Sequence, residues 1–315
     1  MQKLLVTGGA GFIGSHLLEN LVEREDFELI IFDNLSTGKH NVQLLKKLNT
    51  KLIVGNIELV NDLKKIPPKI DVIFHLAAMN RAPRSIKDPL KSNEVNITGT
   101  LNLLELARKN DSKFIFSSSS SVFGNLNINP RPENTNEFYP SHPYGLGKMA
   151  SEYYCRLYDQ LYDVDTRIIR YFSIFGPRQS PKLTYSAVIP KFINSSIKNK
   201  PLTIYGGKQS RNFTYVKDAV KATLLISLTK KAKYQTYQIG GFEEVTINHL
   251  ADIIEKISGN KAHREYKDYQ KGDIFKSIPE MNHLIDEFNF KPSNTFYEAL
   301  EETYHWFRNN PNYFV

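Results

Sequence analysis

Short runs of β-branched and aromatic residues alternate with longer amphipathic stretches through the first half of the chain. These runs, which we predict to be strands, lie at 3–7, 28–33, 51–55, 71–75, 113–117 and 165–171. Strands that alternate with helices form a parallel sheet covered by helices on both faces. The pattern therefore predicts a doubly wound α/β fold, with a parallel sheet of the Rossmann type.

The alternation breaks after 172, where glycine and proline open an irregular stretch. Helical patterns follow at 187–199, 216–229, 247–258 and 295–308, with strand patterns at 202–205 and 234–239. We expect the helix and strand at 212–241 to return to the first domain, which covers 1–175. The remainder, 176–211 and 242–315, is predicted to form a smaller C-terminal α/β lobe.

Composition narrows the class of protein. Among 315 residues no apolar run approaches the roughly 20 that cross a bilayer. No leader peptide is readable, and Cys155 is the single cysteine, so we expect a cytoplasmic protein without a disulfide, a metal site or a membrane partner. The formal charge of +8 comes from scattered lysines, which disfavours nucleic acid and suits anionic small molecules.

A glycine-rich segment, VTGGAGFIGS at 6–15, lies where the first predicted strand must turn into the first helix. Its three spaced glycines are Gly8, Gly11 and Gly14. Glycine allows a tight turn and close approach to a pyrophosphate, while free N–H groups at the helix start face the negative charge. The segment predicts a dinucleotide site, although a structural turn alone explains the glycines equally well.

Asp33 ends the second predicted strand, at the distance from the glycines expected of a ribose ligand. Its carboxylate suits the adenosine ribose hydroxyls and repels a 2′-phosphate. The next five residues, NLSTG at 34–38, contain no arginine to receive such a phosphate. We therefore expect NAD, rather than NADP, as the cofactor.

Tyr144 and Lys148 are four residues apart at the head of a helical stretch, so both can project from one face. A tyrosine that acts as a base near neutrality needs its pKa lowered by about 3 units, or roughly 4 kcal/mol. The Lys148 charge and an oxidised nicotinamide ring can supply this together. A chance helical pair is the alternative reading of these two residues alone.

A run of five serines, 117–121, ends the fifth predicted strand at the edge where ligands bind in such sheets. One of these hydroxyls can hydrogen-bond the substrate oxygen whose proton Tyr144 removes. A serine run without Tyr144 would be an ordinary loop.

With these motifs the sequence resembles the extended short-chain dehydrogenase/reductase family, and within it the UDP-hexose 4-epimerases, over nearly its whole length. The resemblance implies an NAD-binding Rossmann domain and a substrate-binding C-terminal lobe. The motifs that carry it are VTGGAGFIGS (6–15), HLAA (75–78), the serine run, Tyr144 with Lys148, and RYFSIFGPR (170–178).

The family resemblance assigns Ser119, Tyr144 and Lys148 as the catalytic residues. The cofactor contacts it implies are Gly8, Gly11, Phe12, Ile13, Gly14, Asp33, Asn34, Ser36, Thr37, Gly38, Asn56, Ile57, Leu76, Ala77, Ala78, Asn96, Ser117, Tyr144, Lys148 and Tyr171. The substrate contacts it implies are Arg81, Ser119, Ser120, Ser121, Tyr144, Ser173, Val188, Arg211, Asp273 and Ser277.

Two of the serines bear on the type of reaction. In related 4,6-dehydratases the positions of Ser120 and Ser121 carry acidic residues, and in UDP-glucuronate decarboxylases the second is glutamate. A serine hydroxyl has too high a pKa to replace a carboxylic acid. The resemblance thus favours a 4-epimerase over a lyase, and the Tyr144–Lys148 pair disfavours a non-catalytic dinucleotide-binding protein.

The resemblance implies a UDP-hexose substrate. Arg211 aligns with a diphosphate-binding arginine and Asp273 with a uridine-ribose ligand, chemistries that suit a guanidinium and a carboxylate. Ser277 aligns with a residue beside the C2 substituent, where a small side chain leaves room for an N-acetyl group.

The chain departs from the family pattern at several positions. Ser173 replaces the usual asparagine, Asn56 an aspartate and Gln270 a phosphate-binding arginine. Asn80 and Arg81 are unusual near the expected sugar site and can signal an acidic or otherwise different sugar. The resemblance also implies a homodimer, formed by the helices that follow the fourth and fifth strands.

Overall fold

The computed structural model of the chain describes residues 1–48, 50–181, 187–269 and 274–313. In this described part, no helix has both the length and the apolar character needed to cross a membrane.

The strands are β1 (Gln2–Thr7), β2 (Phe27–Asp33), β3 (Lys51–Val54), β4 (Val72–His75), β5 (Lys113–Ser119), β6 (Thr166–Tyr171), β7 (Ile174–Phe175), β8 (Leu202–Tyr205), β9 (Ser210–Asn212), β10 (Thr214–Tyr215), β11 (Thr236–Ile239), β12 (Glu244–Thr246), β13 (Arg264–Lys267) and β14 (Lys276–Ser277). The α-helices are α1 (Phe12–Val22), α2 (Val42–Lys47), α3 (Val60–Leu63), α4 (Ala82–Lys87), α5 (Pro89–Asn93), α6 (Gly99–Asn110), α7 (Pro143–Tyr162), α8 (Val188–Ile197), α9 (Val216–Leu228), α10 (Ile247–Ser258), α11 (Asn282–Phe288) and α12 (Phe296–Asn309). Short 3-10 helices cover Lys39–Asn41 and Ser120–Val122, and a π-helical turn covers Glu94–Thr98.

The largest sheet has seven strands in the order β11-β6-β5-β4-β1-β2-β3. The pairs β1–β2, β2–β3, β1–β4 and β4–β5 are all parallel. The chain runs from β1 outward in one direction and from β4 outward in the other, so the strand order reverses between β1 and β4. In such sheets ligands bind outside the carboxyl ends of the strands at this reversal.

Apolar side chains between the sheet and its helices hold this fold together. Leu5, Ile30 and Phe114 from the strands are fully buried, and they share one cluster with Leu103 of α6 and Cys155 of α7. Each fully buried large apolar side chain contributes roughly 1.5–3 kcal/mol. Cys155 is a buried free thiol whose pKa is raised by burial.

The predicted strands of the first half agree with β1 to β6 to within two residues at each end. The largest difference is in β5, which extends to Ser119 and so brings the serine run onto the end of the strand. Together with the strand order, this confirms the prediction of a doubly wound Rossmann-type fold.

The chain packs into two compact units. The first contains Met1–Gly124, Asn136–Arg170 and Thr223–Tyr237. The second contains Asn125–Thr135, Tyr171–Ala222 and Gln238–Val315. The sequence-based division into a cofactor-binding domain and a substrate-binding lobe remains a prediction about the roles of such units.

Within the second unit, short strands form small sheets. One has the order β12-β9-β14, and β8 pairs in parallel with β13. The helix α12 begins at a capping box, in which the Thr295 hydroxyl accepts from Glu298 N–H at 3.3 Å and the Glu298 carboxylate accepts from Thr295 N–H at 2.9 Å. Such a box satisfies two of the N–H groups that a helix start leaves open.

Candidate active site

The glycine-rich loop after β1 has no room for side chains at two positions. Gly8 has a φ of +71°, and a Cβ there would lie 2.6 Å from the Ala77 nitrogen. A Cβ on Gly14 would lie 2.4 Å from the Gly8 oxygen. Glycine at these positions therefore lets the loop, the start of α1 and the segment after β4 approach one another closely.

The start of α1 is open to an anion. Gly11 is its N-cap residue and provides no side-chain hydrogen bond. The first N–H groups of a helix, here those of Phe12 and Ile13, have no partner within the helix. An uncapped N-terminus beside a glycine turn is suited to the pyrophosphate of a dinucleotide, and binding of a pyrophosphate there stays a prediction.

Asp33 connects the end of β2 to the glycine-rich loop. Its carboxylate accepts from Ala10 N–H at 2.9 Å and from Leu35 N–H at 2.7 Å. Burial raises the pKa of this carboxyl group, and the two backbone hydrogen bonds lower it. Asp33 is thus fixed at the position where a cofactor ribose is expected, and it also supports the loop.

Asn41 is a second support for this loop, and sequence reasoning did not select it. Its side-chain amide donates to the carbonyl oxygens of Ala10 at 2.7 Å and Gly11 at 3.4 Å. Asn41 lies in the 3-10 turn just before α2, a location that carries no motif.

Residues predicted to contact the adenosine end form a network of their own. The Asn34 amide donates to the Asn56 side-chain oxygen at 2.9 Å, and Asn34 accepts from Ser36 N–H at 3.0 Å. A Cβ on Gly38 would lie 2.4 Å from the Ala10 oxygen, so Gly38 packs directly against the glycine-rich loop. The asparagine at 56 therefore makes a defined contact, although most relatives are expected to have aspartate there.

The segment after β4 is held from both sides. Thr7 accepts from Ala77 N–H at 3.3 Å, and the buried Asn96 side chain accepts from Met79 N–H at 2.9 Å and donates to its carbonyl oxygen. Asn96 lies in the π-helical turn, and its backbone carbonyl oxygen accepts from the Thr100 hydroxyl and from the Ser151 hydroxyl of α7, each at 2.8 Å. The predicted contacts Leu76, Ala77 and Ala78 are therefore placed beside the loop after β1.

The N-cap residue of α7 is His142, which sequence reasoning did not select. Its Nδ1 accepts from Gly145 N–H at 3.1 Å, and its ring stacks on Tyr144 with centroids 6.1 Å apart. Burial lowers the pKa of His142, so the ring is neutral and able to cap the helix near pH 7. The only sequence signal was Pro143, which favours the first helical position.

Tyr144 and Ser119 lie together. The Ser119 hydroxyl hydrogen-bonds Tyr144 and lowers the pKa of its phenol, as does the positive charge of Arg81. Burial has the larger, opposite effect, so the pKa of Tyr144 is raised overall. The phenol is consequently protonated at neutral pH in the protein alone, and able to donate a hydrogen bond.

Lys148 follows Tyr144 by one helical turn, as predicted. Its ammonium group donates to the Ser117 carbonyl oxygen at 2.6 Å and lies 4.7 Å from the Phe116 ring centre. Burial lowers the pKa of Lys148 to about 7. The structure brings Ser117, Ser119, Tyr144 and Lys148 together at the carboxyl end of β5.

The remaining serines form a tight turn. Ser119 is the N-cap residue of the 3-10 helix Ser120–Val122 and accepts from Ser121 N–H at 3.1 Å. The two side-chain oxygens of Ser119 and Ser121 are also 3.1 Å apart. These hydroxyls provide hydrogen bonds but no acidic group.

The second unit brings two further predicted residues together. Arg211 on β9 is the register partner of Ser277 on β14. The Arg211 guanidinium donates to the Ser210 carbonyl oxygen at 2.7 Å. Asp273 and Gln270 lie outside the described residues.

Arg131, also in the second unit, is a candidate that the sequence did not indicate. Its guanidinium is buried and donates to the Lys276 carbonyl oxygen at 3.5 Å. Burial and the nearby charge of Arg211 lower its pKa. Two guanidinium groups whose charges influence each other are suited to an anion with more than one charge.

Other predicted contacts in this unit are separate single residues. Tyr171 is the buried last residue of β6, and Val188 is the first residue of α8. Ser173 has a φ of +43°, a left-handed conformation that asparagine tolerates better than serine. This preference gives a physical reason for the asparagine expected at that position.

These features coincide with a match to a known family. A model described as the NAD dependent epimerase/dehydratase family matches residues 4–240. The chain belongs to this family. The resemblance inferred from the motifs is thereby confirmed, and so is NAD as the cofactor.

Two curated relatives cover nearly the full length of this family member. A putative UDP-glucose 4-epimerase of Methanocaldococcus jannaschii is 36% identical over 313 residues, which is 98% of this chain and 99% of the relative. A UDP-N-acetyl-alpha-D-glucosaminuronate decarboxylase of Bacillus cytotoxicus is 33% identical, and the match covers 99% of both chains.

Solved structures of the family are equally similar. The UDP-N-acetylglucosamine 4-epimerase of Methanobrevibacter ruminantium, in complex with UDP-N-acetylmuramic acid, has 36% identity and a TM-score of 0.89 over 98% of this chain and 99% of that one. The UDP-glucose 4-epimerase of Thermotoga maritima, with UDP-glucose, has 32% identity and a TM-score of 0.92 over 99% and 100%.

Proposed function

We propose that the protein is a nucleotide-sugar 4-epimerase, which interconverts the C4 epimers of a UDP-hexose. The observation that carries this proposal is the group formed by Ser119, Tyr144 and Lys148 at the carboxyl end of β5, beside serines instead of carboxylic acids. The candidate sugars are the pairs UDP-GlcNAc/UDP-GalNAc and UDP-glucose/UDP-galactose.

The chemistry needs a base, an acid and an orienting hydroxyl. Tyr144 first loses its own phenol proton to solvent, and the resulting phenolate accepts the proton of the C4 hydroxyl as the C4–H bond breaks, while Ser119 holds the C4 oxygen by a hydrogen bond. NAD, when bound, supplies the acceptor and later the donor of the hydride at C4. The 4-keto sugar then rotates so that the hydride returns to its opposite face, and Tyr144 returns the proton to the C4 oxygen. The reaction consumes no cofactor, and the product has the same atoms as the substrate.

Lys148 has a supporting role in this scheme. Its hydrogen bond to the Ser117 carbonyl oxygen fixes the ammonium group one turn from Tyr144. A positive charge at this distance favours the phenolate that forms when the proton of Tyr144 is removed. The pKa of about 7 leaves Lys148 able to gain or lose a proton near neutrality.

A lyase of the same family is the alternative, since one relative is a decarboxylase. Ser120 and Ser121 speak against it, because elimination of water requires a carboxylic acid close to the reacting carbon. A second alternative is a protein that binds the dinucleotide without turnover. The buried ammonium of Lys148 is costly in such a protein and has no use there.

Recognition of the nucleotide is proposed to involve the arginines of the second unit. Arg131 and Arg211 are suited to a diphosphate, and Arg131 compensates for the glutamine at 270. Ser277, beside Arg211 in the adjacent strand, leaves room for an N-acetyl group at C2.

We further propose a cytoplasmic homodimer. The helix α7 exposes Leu146, Tyr153, Leu157 and Leu161, with 40–60% of each side chain accessible. Residues at this spacing lie on one face of a helix. An apolar stripe of this length on an exposed helix is typical of a contact between subunits.

The proposed function is tested by incubating the purified protein with each of the four UDP-hexoses and separating the products by chromatography and mass. A product of unchanged mass and inverted C4 supports the proposal. Tyr144→Phe is expected to lower turnover by several orders of magnitude, whereas the control Tyr139→Phe, at an exposed tyrosine, retains it. A product lighter by water or carbon dioxide overturns the epimerase in favour of a lyase.

A further inference from the structure

Arg81 has an unusual backbone conformation. It immediately precedes α4 and has a φ of +80° and a ψ of 123°. Residues other than glycine rarely adopt positive φ, and such strain concentrates at functional sites. The strained backbone of Arg81 therefore indicates a functional role for its side chain.

The Arg81 guanidinium has a buried donor without an acceptor. Its Nε is fully buried and has no hydrogen-bond partner among the described residues. In the same part of the chain, no carboxylate forms an ion pair with it within 4 Å, and burial lowers its pKa. A buried, unpaired cation is unfavourable unless a ligand provides the counter-charge.

The side chain lies beside the proposed proton-transfer residue. The charge of Arg81 acts on the Tyr144 hydroxyl, and the two groups influence each other's pKa. The helix α4 is fixed against α7, because the Ser85 hydroxyl accepts from Tyr144 N–H at 3.1 Å. Arg81 therefore lies beside the proposed catalytic group, next to a helix that is hydrogen-bonded to the backbone of α7.

Tyr144 itself does not neutralise this cation. Burial raises the pKa of the phenol, so Tyr144 is uncharged at neutral pH. In that uncharged form Tyr144 provides no counter-charge, and a bound anion can supply it. Since the proposed function places the sugar C4 at Tyr144, the groups nearest to Arg81 are those attached to C4 and its neighbours C3 and C5.

We propose that Arg81 binds a carboxylate that the substrate sugar carries on a substituent of C3 or C5. The substrate is then an acidic UDP-sugar, and Arg81 is the residue that selects it. A guanidinium is well suited to this role because it presents parallel N–H donors to the two carboxylate oxygens. This inference rests on the proposed function, since it takes the position of the sugar from it.

The test measures binding to the NAD-loaded Tyr144→Phe protein, in which turnover is suppressed. UDP-glucuronate, with its carboxylate on C5, is compared with UDP-glucose. UDP-N-acetylmuramate, with a carboxylate on the C3 substituent, is compared with UDP-GlcNAc. At least one acidic sugar is expected to bind about tenfold or more tightly than its neutral counterpart, as a charge-assisted pair provides.

If the proposal is right, the tighter binding of the acidic sugar depends on Arg81. Adding Arg81→Gln is expected to remove the preference for the acidic sugar while changing the affinity for the neutral sugar less than about threefold. Arg81→Lys keeps the positive charge but not the two parallel N–H donors of the guanidinium, and it is expected to retain part of the preference for the acidic sugar. The matched control is Arg84→Gln, at an exposed arginine of the same helix, and it leaves the preference unchanged.

Two outcomes overturn the proposal. One is that neither acidic sugar binds more tightly than its neutral counterpart. The other is that Arg81→Gln weakens acidic and neutral sugars, or NAD, by equal factors, which would assign Arg81 to the cofactor or to Tyr144. Failure of the proposed function has a different signature: the wild-type protein epimerises no sugar at C4, whatever the binding preference.

Discussion

Lys148 donates a 2.6 Å hydrogen bond to the carbonyl oxygen of Ser117, with its ammonium group 6.0 Å from the centre of the Tyr144 ring. The sequence predicted that Lys148 lowers the pKa of Tyr144. In the structure, the cation that lowers this pKa is Arg81. The charge of Lys148 is instead held in a buried position, at a cost in stability that can be measured.

Replacing Lys148 by methionine is expected to stabilise the protein while abolishing turnover. Burial lowers the pKa of Lys148 to about 7, whereas in the unfolded chain it is about 10.4. Between these values the unfolded chain binds more protons, so the wild type becomes more stable as pH rises. The gain from Lys148→Met is therefore largest below pH 7, roughly 1–3 kcal/mol, and disappears above about pH 10.5.

Urea unfolding at pH 6, 7.5 and 9 measures this gain in the free energy of unfolding. The exposed Lys46→Met serves as a control and shows no such trend with pH. A Lys148→Met protein that is less stable at pH 6 than the wild type would show that the buried charge is compensated.

Comparing Gly8 with Gly259 separates two costs of replacing a glycine by alanine: the steric clash of the added Cβ and the left-handed backbone conformation. Their φ angles are +71° and +73°, but a Cβ on Gly259 meets nothing within 4 Å, whereas one on Gly8 lies 2.6 Å from the Ala77 nitrogen. Gly259→Ala is expected to cost about 1–2 kcal/mol for the left-handed conformation alone. Gly8→Ala adds the steric term, so we expect a loss of at least about 3 kcal/mol and no NAD binding.

Chemical denaturation together with NAD titration checks both variants. Equal losses of stability would mean that the loop after β1 moves freely away from Ala77.

A buried ion pair joins α7, the helix that carries Tyr144 and Lys148, to the strand β6. The Glu152 carboxylate accepts from the Arg170 guanidinium at 2.7 Å and from the Ser118 hydroxyl at 2.5 Å, and neither charged side chain is exposed. Glu152→Gln leaves the guanidinium buried without its counter-charge, which is expected to cost about 3–5 kcal/mol. The surface pair of Lys3 and Glu28, at 3.8 Å, is the control, and Glu28→Gln should cost less than about 1 kcal/mol.

The two variants are compared by the free energy of unfolding in the same buffer. A loss below 1 kcal/mol for Glu152→Gln would show that the buried charge is not needed for stability.

The proposed dimer depends on the apolar stripe of α7. The double variant Leu157→Glu, Leu161→Glu places two charges in that stripe, and burying them in an interface is unfavourable. Light scattering is expected to give twice the 36.2 kDa chain mass for the wild type and a single chain mass for the variant. Leu225→Glu, at an exposed leucine of α9, should remain dimeric. If the double variant keeps the wild-type mass, the interface lies elsewhere.

The elements that sequence reasoning located are those with strong local signals. The strands β1 to β6 are continuous apolar runs between glycines and polar turns, and Gly8, Asp33 and Tyr144 belong to motifs whose spacing fixes their place on the sheet. Short strands such as β9 and β14 were not predicted. Two or three residues carry no periodic pattern, and their pairing is set by partners distant in sequence.

Residues that act through distant contacts were also missed. The buried Glu133 carboxylate accepts from the N–H groups of Gln238 and His283, more than 100 positions along the chain. Arg131 lies two residues earlier, in the same segment of the second unit. Nothing in the local sequence distinguishes such residues from the charged residues of an exposed loop.

A deuterium label at C4 tests whether the protein oxidises and re-reduces one carbon of the sugar. A UDP-hexose that the protein turns over is prepared with deuterium at C4, and the product is examined by mass spectrometry and NMR. Oxidation and re-reduction at C4 should yield a C4 epimer of unchanged mass that keeps deuterium at C4, because the hydride that leaves C4 returns to it. Replacement of the deuterium by solvent hydrogen, or a product that has lost water or carbon dioxide, would contradict it.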